Sequence, residues 1–281
     1  MANTLESAPK VELHLHLEGA IPLDTLWELV CKYGGDPAVP TRDHLVGLLE
    51  YSSFSHFIDT WWWMTGFVRT GDDFEHIAES VAADLGRQNI VYAEASFSPS
   101  DFTRHGMTTG DIARAIRTGL DRVHSTRVVL NCDLVRDTGP ARTATTLESV
   151  IDVANEADIR GITIGGSEHT YPPSLFVDVY RRAAAAGLRR TAHAGEAAGP
   201  ESVRDALDLL GVERLGHGVR VVEDTELLER VIAEQVPLEV CPTSNIRTGV
   251  VPGWDDHPVG TLLARGANVT ISSDDPTSVS Y

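Results

Sequence analysis

The chain of 281 residues is 42% hydrophobic and 23% charged, which supplies enough apolar side chain for one sizeable core, and its formal net charge is −18. That charge disfavours nucleic-acid backbones and anionic lipid as partners; no apolar run of roughly 18 residues occurs, and the opening MANTLESAPK lacks the basic and apolar parts of a secretory leader. Three widely spaced cysteines, Cys31, Cys132 and Cys241, argue against a disulfide framework and a cysteine-held metal, so a reducing, cytoplasmic setting is expected.

Short apolar segments alternate with amphipathic helical ones, the pattern of parallel βα units. Strands are expected at 11–19, 89–99, 127–137, 160–168, 189–196, 214–220, 237–245 and 268–275. The long interval between the first two holds several helical patterns, including 55–68, and reads as an insertion over a barrel mouth. Later helices are expected at 108–125, 143–157, 174–186, 200–210 and 225–234, several stopping at a glycine. Eight such units predict an α/β fold, a (β/α)8 TIM barrel, as a single domain over 1–281. Few residues follow the eighth strand, so the helix that should cover it is expected to be missing from this span, through truncation or because a partner takes its place.

In the first strand, Val11 to Glu18 alternates strictly: Glu12, His14, His16 and Glu18 share one face and Val11, Leu13, Leu15 and Leu17 the other. In a barrel the polar face points into the lumen, where imidazoles and carboxylates are costly without hydrogen bonds or a cation. A His-x-His pair is weak on its own. It gains weight because further polar residues fall at the expected C-terminal strand ends, where barrel active sites assemble. These are His193 and Glu196 after strand five, His217 between two glycines after strand six, and Asp274 and Asp275 after strand eight. Three imidazoles plus a carboxylate suit Zn²⁺ with a position left for water, although Fe²⁺, Co²⁺ and Mn²⁺ accept the same donors. No lysine follows Lys32, so the modified-lysine bridge of two-metal barrels is excluded and one metal per chain is expected.

His14-x-His16, His193-Ala-Gly-Glu196, Gly216-His217-Gly218 and Ser273-Asp274-Asp275 resemble the adenosine deaminase family in order and spacing, and the resemblance runs from Pro9 to Pro276. It implies that His14, His16, His193 and Asp274 hold one Zn²⁺, that Glu196, His217 and Asp275 stand around the substrate, and that Gly166 offers its amide to a purine ring nitrogen. The implied reaction is attack of hydroxide, made available by zinc, on the amine-bearing carbon, with loss of ammonia. Glu196 would protonate the adjacent ring nitrogen, His217 would orient or deprotonate the water, Asp274 would hold metal and water, and Asp275 would accept a hydrogen bond from the imidazole side of the purine.

Other features leave the substrate open among adenosine, adenine, aminodeoxyfutalosine and related amines. Ser167 stands where the family often has an acid or proline, followed by Glu168 and His169. Glu18 is expected to contact a sugar hydroxyl or to hydrogen-bond within the lumen. Phe57 and Trp61, four apart on the mouth helix, can share a face and form an apolar subsite, whereas Trp61, Trp62 and Trp63 cannot all enter one core. His44, His56, His76, His105, His124 and His257 are expected in surface or capping roles, while His169 is a candidate for the pocket. The partner expected is a small purine-type molecule, with no nucleic acid and no membrane; a homo-oligomer is compatible with the sequence. The competing readings are a broader barrel hydrolase and a catalytically silent purine binder; a retained acid at Glu196 argues against the first and a complete donor set against the second.

Overall fold

The computed structural model describes residues 7–50 and 54–279. Eight strands, β1 (Lys10–His16), β2 (Ile90–Phe97), β3 (Arg127–Asp133), β4 (Ile159–Thr163), β5 (Arg189–Ala194), β6 (Arg214–His217), β7 (Leu238–Val240) and β8 (Val269–Ile271), pair in parallel in sequence order. The ring closes just beyond β8: the Asp274 amide donates to the His14 carbonyl and the His16 amide to the Asp274 carbonyl, both at 2.9 Å. Closure therefore sets Asp274 beside the two β1 histidines.

Four helices, α1 (Leu23–Lys32), α2 (Arg42–Leu48), α3 (Phe54–Thr65) and α4 (Gly71–Arg87), fill the expected insertion. The outer layer continues with α5 (Thr109–Leu120), α6 (Pro140–Val153), α7 (Val177–Ala185), α8 (Pro200–Asp205), α9 (Thr225–Ala233), α10 (Pro242–Arg247), α11 (Val259–Ala264) and α12 (Pro276–Val279). Local chemistry sets the boundaries. Thr70 starts α4 with a reciprocal capping box: its hydroxyl accepts from the Asp73 amide and Asp73 accepts from its own. Buried Asp73 also accepts from Lys32 and Tyr33, tying α1 to α4. On β1, Leu15 is fully buried on the helix-facing side, as is Leu17 just beyond the strand, and each contributes roughly 1.5–3 kcal/mol that offsets the polar inner face. Val11, assigned to the same face, is instead 54% exposed, as is Ile271 of β8 at 58%.

The strands are shorter than the sequence pattern suggests, most of all β4, β7 and β8. Their expected C-terminal residues keep the polar and apolar alternation after the backbone has left the ladder to present side chains at the barrel rim. After β8 the described residues hold only the short α12; Tyr281 and the first residues of the leader reading lie outside those described. Among the described residues no helix is long and apolar enough to cross a membrane.

Candidate active site

Four buried donors meet at the C-terminal rim. The His193 Nε2 atom lies 3.1 Å from both His14 Nε2 and His16 Nε2. Asp274 Oδ1 lies 3.3 Å from His14 Nε2 and 3.4 Å from His16 Nε2. A metal with bonds of about 2.0–2.2 Å separates tetrahedral donors by about 3.3–3.6 Å, close to these spacings. Three ring nitrogens facing one point also cannot all be satisfied by one another. The surroundings prepare them for a cation. His14 Nδ1 bonds Glu239 Oε2 at 3.0 Å, which turns its Nε2 lone pair inward. Burial opposes charge on His14, yet its bonds to Asp274 and Glu239 lift it well above the usual imidazole range, whereas burial holds His193 well below it. Gly216 makes room for the His14 ring, since a Cβ there would lie 2.8 Å from its Cε1. The donor set fits one first-row dication.

His217 joins His14, His193 and Asp274 in a group whose donor atoms lie within 4.8 Å of one another. Its Nε2 lies 3.6 Å from Glu196 Oε2 and 3.9 Å from the other Asp274 oxygen, which accepts from the Ser244 hydroxyl at 2.6 Å. Hydrogen bonds fix its tautomer. The Val259 amide can only donate, so His257 Nδ1 accepts and His257 Nε2 carries the proton toward Asn245 Oδ1. Asn245 Nδ2 then donates to His217 Nδ1 at 3.0 Å, leaving the His217 proton on Nε2. Burial holds His217 at about 3, so the ring is neutral and offers an N–H donor with no partner. His257 thus accepts from the first amide of α11, a capping role as expected, but is buried rather than at the surface and connects to the site through Asn245.

Glu196 stands opposite, and burial, then the charges of Asp274 and Glu168, push it up to about 8, so it is a protonated acid at neutral pH. Its backbone is held by Glu168. That carboxylate, 2% exposed, accepts from the amides of Gly195 at 2.6 Å, Glu196 at 3.2 Å, and Ala197 and Ala198 at 2.9 Å. Fully buried Arg136 donates to the carbonyls of His193, Ile164 and Tyr171 and fixes the end of β5 from below.

A cavity of about 240 Å³ opens above these groups, lined by His16, Phe57, Trp61, Gly166 and Asp275 among others. Phe57 and Trp61 do share a face of α3, their rings 6.4 Å apart; Trp62 reaches the cavity too, while Trp63 turns away to Asp36 and Phe67. Gly166 has φ +104°, and a Cβ there would meet Asp137 Oδ2 at 2.0 Å, so only glycine fits. Glu18, an expected substrate contact, is fully buried and is not among the residues lining the cavity; one oxygen accepts from the Ser98 amide at 2.9 Å and the other has no partner. Burial, then the charge of Asp274, raises Asp275 to about 8. His169 is exposed and lies outside the lining. Three non-glycine residues at the cavity adopt left-handed backbone: Val135 with φ 49°, His217 with 59° and Asp274 with 63°.

Buried Glu239, with half-buried Arg214 and Glu94, forms a charge chain behind His14 that the sequence pattern did not single out. The alternation that exposed His14 applies equally to Glu239 between Leu238 and Val240.

A family model described as "Adenosine deaminase" matches residues 9–280. An adenine deaminase of Streptomyces coelicolor is 36% identical over 279 residues, spanning 98% of this chain and 81% of that protein. An aminodeoxyfutalosine deaminase of Streptomyces avermitilis is 35% identical over 277 residues, spanning 95% and 76%. The crystal structure of an amidohydrolase from Burkholderia ambifaria with bound Zn superposes with a TM-score of 0.86 at 29% identity, covering 97% of this chain and 77% of that one.

Proposed function

The chain belongs to the adenosine deaminase family and is a hydrolytic deaminase of the adenine/adenosine type, and from that premise we propose that it uses one zinc ion to convert the 6-amine of adenosine or a related adenine derivative into the 6-oxo purine. The convergence of His14, His16 and His193 on Asp274 Oδ1 is the observation that carries this reading. Zinc is supported by the all-nitrogen-and-oxygen donor set and by the metal in the similar amidohydrolase. Held by those four residues, it supplies the Lewis acidity that makes hydroxide available near neutral pH.

The chain's own groups divide the rest of the work. Glu196, kept protonated by burial, gives its proton to the ring nitrogen beside C6, which makes that carbon electrophilic. His217 donates its Nε2–H to the oxygen that adds at C6 and stabilises charge there, a role its tautomer favours over that of a resting base. Gly166 presents its amide to the pyrimidine side of the purine and Asp275 its carboxyl group to the imidazole side. Phe57 and Trp61 receive whatever the purine carries. The proposal includes a cytoplasmic setting and a small-molecule partner, in keeping with the acidic charge and the three free cysteines.

Ammonia release across adenosine, 2′-deoxyadenosine, adenine, 5′-substituted adenosines, aminodeoxyfutalosine and a few pterins, with metal analysis on the same sample, tests this reading. Fast turnover of an adenine derivative at about one zinc per chain is expected. A zinc-loaded protein that releases no ammonia from any of them would overturn it.

A further inference from the structure

The substrate cavity has six carboxylic residues in its lining, and among the described lining residues no lysine or arginine. Glu196, Asp274 and Asp275 lie at the reacting end. The other three, Asp101 after β2, Asp133 at the end of β3 and Asp137 after it, line the cavity together with Trp61 and Trp62. No part of the proposed reaction uses them.

We propose that Asp101, Asp133 and Asp137 form a carboxylate wall that selects the purine's substituent by charge, admitting neutral hydroxylated or cationic groups and excluding phosphate and carboxylate. The inference rests on the deaminase reading and narrows its substrate class.

Each carboxylate is anchored as an acceptor. Asp133 Oδ1 accepts from the amides of Val135 and Gly165, both at 2.9 Å. Asp137 Oδ2 accepts from the Ser167 amide at 2.7 Å, and Asp101 Oδ2 from the Trp61 indole at 3.2 Å. They are near enough to act on one another: burial first, then the charges of Asp133 and Asp137, raise Asp101 to about 6, so it is still ionised at neutral pH. Two cations offset part of this charge from outside the lining, Arg104 on Asp101 and Arg136 on Asp133 and Asp137, and both make their own hydrogen bonds there. Arg104 lies 5.4 Å over the Trp62 ring and donates to Thr65, while Arg136 is fully buried on three carbonyls. An entering anion would lose its water and meet like charge with no guanidinium or ammonium to replace it. A hydroxyl can donate to these oxygens, and a cation gains both their charge and the indole faces. That a ligand belongs in this space is signalled independently by Asp275, a lining carboxyl 6% exposed whose Oδ1 has no partner.

The test compares kcat/KM for ammonia release by the zinc-loaded enzyme from adenosine, 5′-amino-5′-deoxyadenosine, AMP and aminodeoxyfutalosine, whose benzoate is anionic. The two uncharged or cationic compounds should exceed the two anionic ones by about 100-fold. In Asp101→Asn and Asp137→Asn, each checked for folding by its melting temperature, the AMP-to-adenosine ratio of kcat/KM should rise about tenfold. Anionic compounds turned over within tenfold of adenosine would overturn the proposal, as would a ratio unmoved in both variants. Turnover of bare adenine alone, with every substituted compound refused, would overturn it while leaving the deaminase reading intact; ammonia from neither adenine nor any of the four would remove both.

Discussion

Replacing Glu168 by glutamine tests whether the backbone carrying Glu196 is set by one buried carboxylate. In the native chain Oε1 takes one amide and Oε2 three. Glutamine keeps a single acceptor oxygen, so in either orientation its NH2 group confronts at least one amide that can only donate. A lost charge-assisted bond is worth roughly 1.5–3 kcal/mol and an unpaired buried amide roughly 1–3 kcal/mol, partly returned because the buried charge is gone; a net loss of roughly 3 kcal/mol in stability is expected. Displacing Glu196 by about 1 Å should lower kcat on the order of 100-fold. The pH profile carries a sharper signature. Glu168 is one of the charges that raise Glu196, and Glu196 acts in its protonated form, so neutralising Glu168 lowers that pKa and activity should fail at lower pH on the alkaline side. Zinc should stay near one per chain because no metal donor is touched. Steady-state ammonia release from pH 5 to 10, with thermal unfolding and metal analysis, reads all of this. A folded, zinc-loaded Glu168→Gln enzyme with unchanged kcat and an unmoved alkaline limb would refute the clamp.

Glu196→Gln should retain zinc and purine affinity, measured by calorimetry, while turnover falls by about 100-fold to 10,000-fold; normal turnover would remove Glu196 from proton transfer. His14→Ala should release the metal, and full zinc occupancy by elemental analysis would contradict the ligand set. Gly166→Ala, facing Asp137 at 2.0 Å on a left-handed backbone, should raise KM at least about tenfold with zinc unchanged, an outcome excluded by wild-type KM. Glu18, Glu196 and Asp275 are each raised to about 8, so the metal-free folded state binds more protons than the unfolded chain between the ordinary carboxyl range and pH 8. Its melting temperature should therefore fall as pH rises from 5 to 9, and a flat or rising profile would show that these carboxyls are not held protonated.

The repeating βα pattern made the barrel legible, and strict alternation in β1 assigned His14 and His16 to the lumen. Alternation also led the strand ends astray, because rim residues such as Asp274 remain in phase after the backbone has turned out of the ladder. Glu239 was readable by the same rule, yet only its distance from His14 gives it a purpose. Glu168 and the His257–Asn245–His217 relay were not readable at all: the first depends on loop amides gathered around a distant carboxylate, the second on side chains of separate elements meeting in space, and neither follows a period. The mouth helix lay between these cases, since four-residue spacing paired Phe57 with Trp61 but could not choose which tryptophan would turn outward.

The left-handed backbone at Val135, His217 and Asp274 has a bearing on how such a chain drifts over time. At each of these positions a side chain is retained where glycine would relax the backbone, at a cost of about 1–2 kcal/mol apiece. Selection for folding alone would wear all three toward glycine. A lineage that ceased to process its substrate should therefore become easier to fold at the very positions where it loses the imidazole and the carboxylate, and those two side chains on unwilling backbone mark a chemistry still being kept.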